Sequence, residues 1–326
     1  MKKFVSILLV LVLMMSLSVA AFAEGTTDQE TTGTTYTDHE TVTVYKVYKL
    51  VGAGTSPEET FTLEQTGSRV VDGEAKSAPA LGTITGAAFG SGAATAAGTK
   101  LGITIKLPTY TTVGVYEYTL KEVAGTTAGV TYYGNDIKLV VTVINGENGK
   151  LRIAAVHTES AGGKSDSFEN TYSAGTLSIT KTVTGNLGDK DKYFEFKVTL
   201  TGDAAKTYGG SYAVTGGSNS ANPSTITIGE ETTFLLKHGD TISIANLPYG
   251  VTYAVTETAA DGYKTTRTGD DGTISAAAQT VAFENNKNSE NIDMGVSMDS
   301  LPYILMLVVV GAAVVVIATR KKGEQF

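Results

Sequence analysis

Alternation with period two runs through most of the interior of this 326-residue chain, in short stretches rich in Thr, Val, Tyr and Ile. Side chains two positions apart lie on one face of an extended strand, so each stretch reads as a strand with one apolar and one polar face. Gly, Asn and Asp separate the stretches and read as turns, as at Asn145-Gly146 and Asp271-Gly272. No segment between the two ends carries the 3.6-residue apolar period of a long amphipathic helix. The expectation is an all-β chain of antiparallel, immunoglobulin-like β-sandwiches, lacking the Cys and Trp landmarks of that architecture. Gly82 to Gly98, dense in Gly and Ala, reads as a surface loop.

The ends have a different character. Lys2 and Lys3 precede an apolar run from Phe4 to Leu17, and Ala21-Phe22-Ala23 supplies the small, spaced residues of a cleavage site, so 1–23 reads as a signal peptide cut before Glu24. Leu301 to Thr319 is uncharged, long enough to span a bilayer, and followed by Arg320, Lys321 and Lys322, as expected of a C-terminal transmembrane helix with a cytoplasmic stop. The chain is therefore expected to be exported and held at the membrane by its C-terminus.

Between Glu24 and Met294, 20 Lys and Arg face 31 Asp and Glu, which argues against a nucleic-acid partner. With no Cys there is neither a disulfide nor a thiolate metal site. His39, His157 and His238 stand far apart, without the sequence context of a hydrolase, zinc protease or phosphate loop. The adjacent pairs Glu58-Glu59 and Glu230-Glu231 point to opposite faces of an extended segment. No cofactor, no metal and no turnover enzyme are expected.

Self-comparison divides the interior. Phe168-Glu169-Asn170 recurs as Phe283-Glu284-Asn285, and Tyr118-Thr119-Leu120-Lys121-Glu122 recurs as Tyr253-Ala254-Val255-Thr256-Glu257. Lys46 precedes Glu122 by 76 residues and Lys181 precedes Glu257 by 76, with Phe61 and Phe196 each standing 15 residues past the lysine. The chain reads as two related domains, 24–173 and 174–288, with a terminal segment 289–326.

The repeated polar residues sit on the apolar parity of their strands. Lys46 aligns with Val42, Val44, Tyr48 and Leu50, and Lys181 with Leu177, Ile179 and Val183. Glu122 follows Tyr116, Tyr118 and Leu120, and Glu257 follows Val251, Tyr253 and Val255. Asn170 lies between Phe168 and Tyr172, and Asn285 comes after Val281 and Phe283. Each domain thus buries one Lys, one Glu and one Asn. Full burial drives lysine pKa values to about 5–6 and glutamate values to about 8–9, leaving a neutral amine and a protonated acid. A neutral amine can attack the carboxamide carbon of asparagine while the acid hydrogen-bonds the amide oxygen and relays protons, expelling ammonia and leaving an isopeptide bond. Primary amides are inert in water, but partners held in contact reach effective molarities of about 10⁵–10⁸ M. A single trio could equally be a satisfied hydrogen-bond network; two in the same chain order favour the bond.

On these residues the chain resembles Gram-positive surface pilins, in particular two-domain major pilins of the streptococcal T-antigen type. Val44-Tyr45-Lys46-Val47-Tyr48-Lys49-Leu50 with Glu59-Thr60-Phe61 is similar to the family's opening strand, and Asn246-Leu247-Pro248-Tyr249-Gly250 to its segment before the second glutamate. The resemblance implies CnaB-type domains with spontaneous bonds Lys46–Asn170 and Lys181–Asn285, promoted by Glu122 and Glu257. It further implies a sortase that joins neighbouring pilin subunits on the cell wall, with minor pilins and host surface ligands as further partners. Lys164, between Gly162-Gly163 and Ser165 in what reads as a flexible loop, is the candidate linking lysine. Ile292-Asp293-Met294-Gly295-Val296 occupies the place of the family's Ile-Pro-Thr-Gly-Val sorting motif without its Pro and Thr, putting the cut between Met294 and Gly295. The alternative is an unpolymerised adhesin or stalk that binds a host glycan or protein through a loop such as Gly209 to Asn222.

Overall fold

The computed structural model describes residues 39–289. The expected signal peptide, the transmembrane helix and the Met294–Gly295 cut lie outside the described residues. Within them the protein is all-β: apart from a 3-10 turn at Glu147–Gly149, every regular element is a strand. No helix of the described residues is long and apolar enough to cross a membrane.

Two separate hydrophobic cores form, one from Val44 to Ala174 and one from Leu177 to Phe283. Each lies between two sheets, as alternation with one apolar face requires. In the first, the strand Thr41–Gly52 pairs antiparallel with Thr99–Lys106 and parallel with Ser167–Thr184. The facing sheet runs in the order Gly163–Lys164, Leu151–Ser160, Ile137–Asn145, Gly114–Glu122, Leu63–Gly73. In the second, Ser167–Thr184 pairs antiparallel with Thr241–Pro248 and parallel with Ala278–Asn286. Its facing sheet holds Glu231–Leu236, Phe194–Thr201, Thr252–Glu257 and Asp271–Thr273. In both units the first and last strands are parallel neighbours.

Ser167–Thr184 is the last strand of one unit and the first of the next, without interruption over roughly 60 Å. Its inward residues are even-numbered up to Ala174 and odd-numbered from Gly175 onward, because the pairing register slips between Gly175 and Leu177. This bulge lets one strand turn an apolar face to both cores. Gly175 is required there: a Cβ would stand 2.1 Å from the backbone oxygen of Ala276.

Gly82 to Gly98 is not simply a surface loop. It contains the short strands Ile84–Thr85 and Ala87–Phe89 and buries Ala87, Phe89 and Ala94. Phe89 packs edge-on against Tyr48 and Phe61, with ring centroids 5.4 and 5.6 Å apart, and burial of such a ring outweighs the loop propensity around it. Lys164 is likewise not in a loop. Ala161 and Gly162 take left-handed conformations (φ 50° and 83°) and close a hairpin in which Lys164 pairs with Glu159. Its side chain is exposed.

Candidate functional site

The register of the parallel strands brings lysine and asparagine together identically in the two units. Lys46 lies opposite Phe168 and Lys181 opposite Phe283, in each case the first residue of a Phe-Glu-Asn triplet. The asparagine two positions on therefore shares the lysine's face as its diagonal neighbour, within reach of a long side chain. Glu122 and Glu257 come from the facing sheets, at the ends of Gly114–Glu122 and Thr252–Glu257, and close each cluster from across the core. Lys46, Asn170 and Asn285 are 0% exposed, Lys181 1% and Glu122 4%, and the Glu257 side chain is 2% exposed.

In the first cluster one carboxyl oxygen of Glu122 contacts Lys46 Nζ, and the other accepts from Asn170 Nδ2 at 2.6 Å. In the second, Lys181 Nζ donates to both oxygens of Glu257 at 2.9 and 2.8 Å, and Asn285 Nδ2 donates to Oε1. Each carboxyl thus bridges the amine nitrogen and the amide nitrogen. It faces that nitrogen, not the carbonyl oxygen as the sequence reading has it, and Oδ1 of both asparagines is buried without a hydrogen-bond partner. This geometry suits proton relay from amine to amide nitrogen; polarising the carbonyl requires a half-turn of the carboxamide.

Burial pushes the pKa of Lys46 and of Lys181 below the ordinary 10.5, against the opposing pull of the adjacent glutamate in each case. Aromatic rings supply the desolvation. Lys46 Nζ lies 5.4 Å from the Phe61 centroid and 5.5 Å from Tyr133; Lys181 Nζ lies 4.3 Å from Phe194 and 5.6 Å from Phe196. The repeated phenylalanines of the sequence thus occupy corresponding places. Tyr133 and Phe194 escaped the sequence reading. Phe194 shares the inward parity of Phe196 and Val198, which could have revealed it, whereas Tyr133 lies in a connection with no periodicity. Its backbone N–H also donates to Glu122 Oε1 at 3.3 Å.

Other candidates stay apart from these clusters. His157 contacts Glu159 at 3.1 Å, and His238 Nδ1 accepts the Val183 backbone N–H at 3.0 Å. Among the described residues no three His, Asp or Glu side chains converge as a metal site.

Residues 42–173 match the Spy0128-like isopeptide containing domain, and 175–287 match a domain of unknown function. Each range holds one complete Lys–Glu–Asn cluster. Over 237 residues the chain is 31% identical to a pilin of Streptococcus pyogenes serotype M1, covering 63% of this chain and 67% of that protein. The chain belongs to the pilin family. It is thus a structural subunit of a pilus, as its relative in a Gram-positive bacterium is. This pilin is also 37% identical over 119 residues to the pilus tip adhesin Cpa of Streptococcus pyogenes, a match that spans 34% of this chain but only 17% of the adhesin. The crystal structure of the major pilin from Streptococcus pyogenes shares its fold, with a TM-score of 0.52 at 23% identity, covering 77% of this chain and all of that one.

Proposed function

We propose that this pilin is a subunit of a sortase-assembled cell-surface pilus, built from two immunoglobulin-like domains that each close on themselves by one autocatalytic isopeptide bond. The recurrence of a buried Lys–Glu–Asn cluster in the same register carries this reading. In the reaction, Nζ of Lys46 or Lys181 bonds to Cγ of Asn170 or Asn285. A proton passes from Nζ through Glu122 or Glu257 to Nδ2, the Cγ–Nδ2 bond breaks, and ammonia leaves. Each glutamate ends as it began, and each domain reacts once, on itself.

The reading includes export by the segment 1–23, retention by Leu301 to Thr319, and a sortase cut between Met294 and Gly295 that delivers the new carboxyl end to a lysine of the next subunit. Lys164 is that lysine: its side chain is exposed on the edge strand of its sheet. Intact mass of the exported portion, 24–294, which contains both cores entire, should fall below the sequence value by two ammonia molecules. Glu122→Ala and Glu257→Ala should each restore one. An unreduced wild-type mass rejects the bonds. Polymerisation is tested separately: cell-wall extracts should show a ladder of multimers resistant to heat and detergent, and Lys164→Ala should collapse it to one band. A single band from wild-type cells would favour the unpolymerised stalk.

A further inference from the structure

We infer that the cleft between the two domains is a binding site for a neutral saccharide of one or two rings. The cleft has a volume of about 360 Å³, near the lower end of the roughly 300–1,000 Å³ of small-molecule sites. Of its sixteen lining residues nine carry a hydroxyl and none carries a charge. On a chain with 33 acidic and 25 basic residues, such a lining matches a ligand that is itself rich in hydroxyls and uncharged. An anionic sugar would find no cation there, and a cationic one no carboxylate.

The walls are fixed before any ligand arrives. Ser167–Thr184 runs through both domains, and a second connection joins them where Ala128 N–H donates to Thr207 O and Thr207 N–H donates to Thr126 O, both at 2.8 Å. Asn246 is the third. Its Oδ1 accepts the Thr55 backbone N–H at 2.9 Å and the Tyr172 hydroxyl at 3.2 Å, with the backbone held in the left-handed region at φ 60°. The Thr55 N–H can only donate, so the carboxamide orientation is set and Nδ2 is left to donate elsewhere. Tyr208, partly buried and also lining the cleft, has a hydroxyl oxygen that accepts the Asp203 N–H at 2.8 Å and retains its own hydrogen. Its ring offers an apolar face beside that polar edge. Donors and a ring held in place before binding reduce the ordering cost of capture. The wall from Gly209 to Ala213 opens the segment Gly209 to Asn222 that the sequence marks as a ligand-binding loop, although Tyr212–Gly216 within it is a strand paired with Thr225–Ile226 and Thr241–Pro248. Binding does not depend on polymerisation, although repetition along a fibre would multiply a weak affinity.

Saturation-transfer NMR on the exported portion with galactose, N-acetylglucosamine, lactose and N-acetyllactosamine tests this, with sialyllactose and a heparin disaccharide as charged controls. At least one neutral sugar should take up saturation, and the charged controls should take up less. Ala213→Trp, on one exposed wall, and Ser91→Trp, on the other, should each lower the transfer at least tenfold while both ammonia losses persist by mass, reporting intact folding. The inference is overturned by no transfer to any neutral sugar at tens of millimolar, by transfer to the charged sugars alone, or by transfer that survives both tryptophans.

Discussion

Glu122→Gln should give a protein whose first domain folds but stays unlinked, and whose calorimetric trace splits into two transitions. Glutamine fills the same volume and keeps hydrogen bonds to its neighbours, but it cannot take a proton from Lys46 Nζ and deliver it to Asn170 Nδ2. The missing tie would have closed a loop of roughly 120 residues, which as an entropic crosslink contributes about 4–5 kcal/mol. For a domain of this size that corresponds to a fall in the first midpoint on the order of 15–20 °C. The second core should melt near its original temperature, because Lys181, Glu257 and Asn285 are untouched and its half of the shared strand is held by Thr241–Pro248 and Ala278–Asn286. Glu257→Gln should reverse the pattern. A single transition at the wild-type temperature in either variant would mean that the cluster is a hydrogen-bond network and nothing more.

Much of this arrangement is legible in the sequence, for a definite reason. A charged or amide side chain on the apolar parity of a strand conflicts with burial energetics, and such a conflict marks a site. Lys46, Glu122, Asn170, Lys181 and Asn285 stand out on that ground alone, and all five are buried. Pairing partners are not legible in the same way. Parity says that Lys46 and Asn170 point inward; only the register opposite Phe168 says that they meet. The shared strand shows the same limit. The shift of inward residues from even to odd between Ala174 and Gly175 is visible in the sequence, yet a linker and a bulge produce it equally, and the pairing of Gly175 with Leu247 and of Leu177 with Ile244 decides for the bulge. Phe89 was hidden by its neighbours: Gly and Ala around it indicate a loop, and only the distant rings of Tyr48 and Phe61 draw it into the core. The Lys164 hairpin depends on Ala161 adopting φ 50°, which residue type does not announce.

Under tension applied at its ends, the closed protein should show no lengthening step before covalent rupture. The first and last strands of each unit are parallel neighbours, so load that enters Thr41–Gly52 reaches Lys46 and crosses at once to Asn170. It then follows the shared strand to Lys181, crosses to Asn285 and leaves. The residues between Lys46 and Asn170, and those between Lys181 and Asn285, carry none of it. Without the first bond the load falls in shear on the hydrogen bonds between Thr41–Gly52 and Ser167–Thr184. Once those yield, roughly 120 residues pay out at about 3.5 Å each, on the order of 400 Å. Single-molecule pulling on Glu122→Gln should therefore show one such step, Glu257→Gln one step of roughly 350 Å, and the double variant both. A step of either length in the fully closed wild type would show that force travels through the sandwich and not across the ties. The uninterrupted Ser167–Thr184 strand matters here as much as the bonds: with a flexible linker at Ala174–Gly175 the ties would still cap unfolding, but the two domains would first swing into line, and extension at low force would rise.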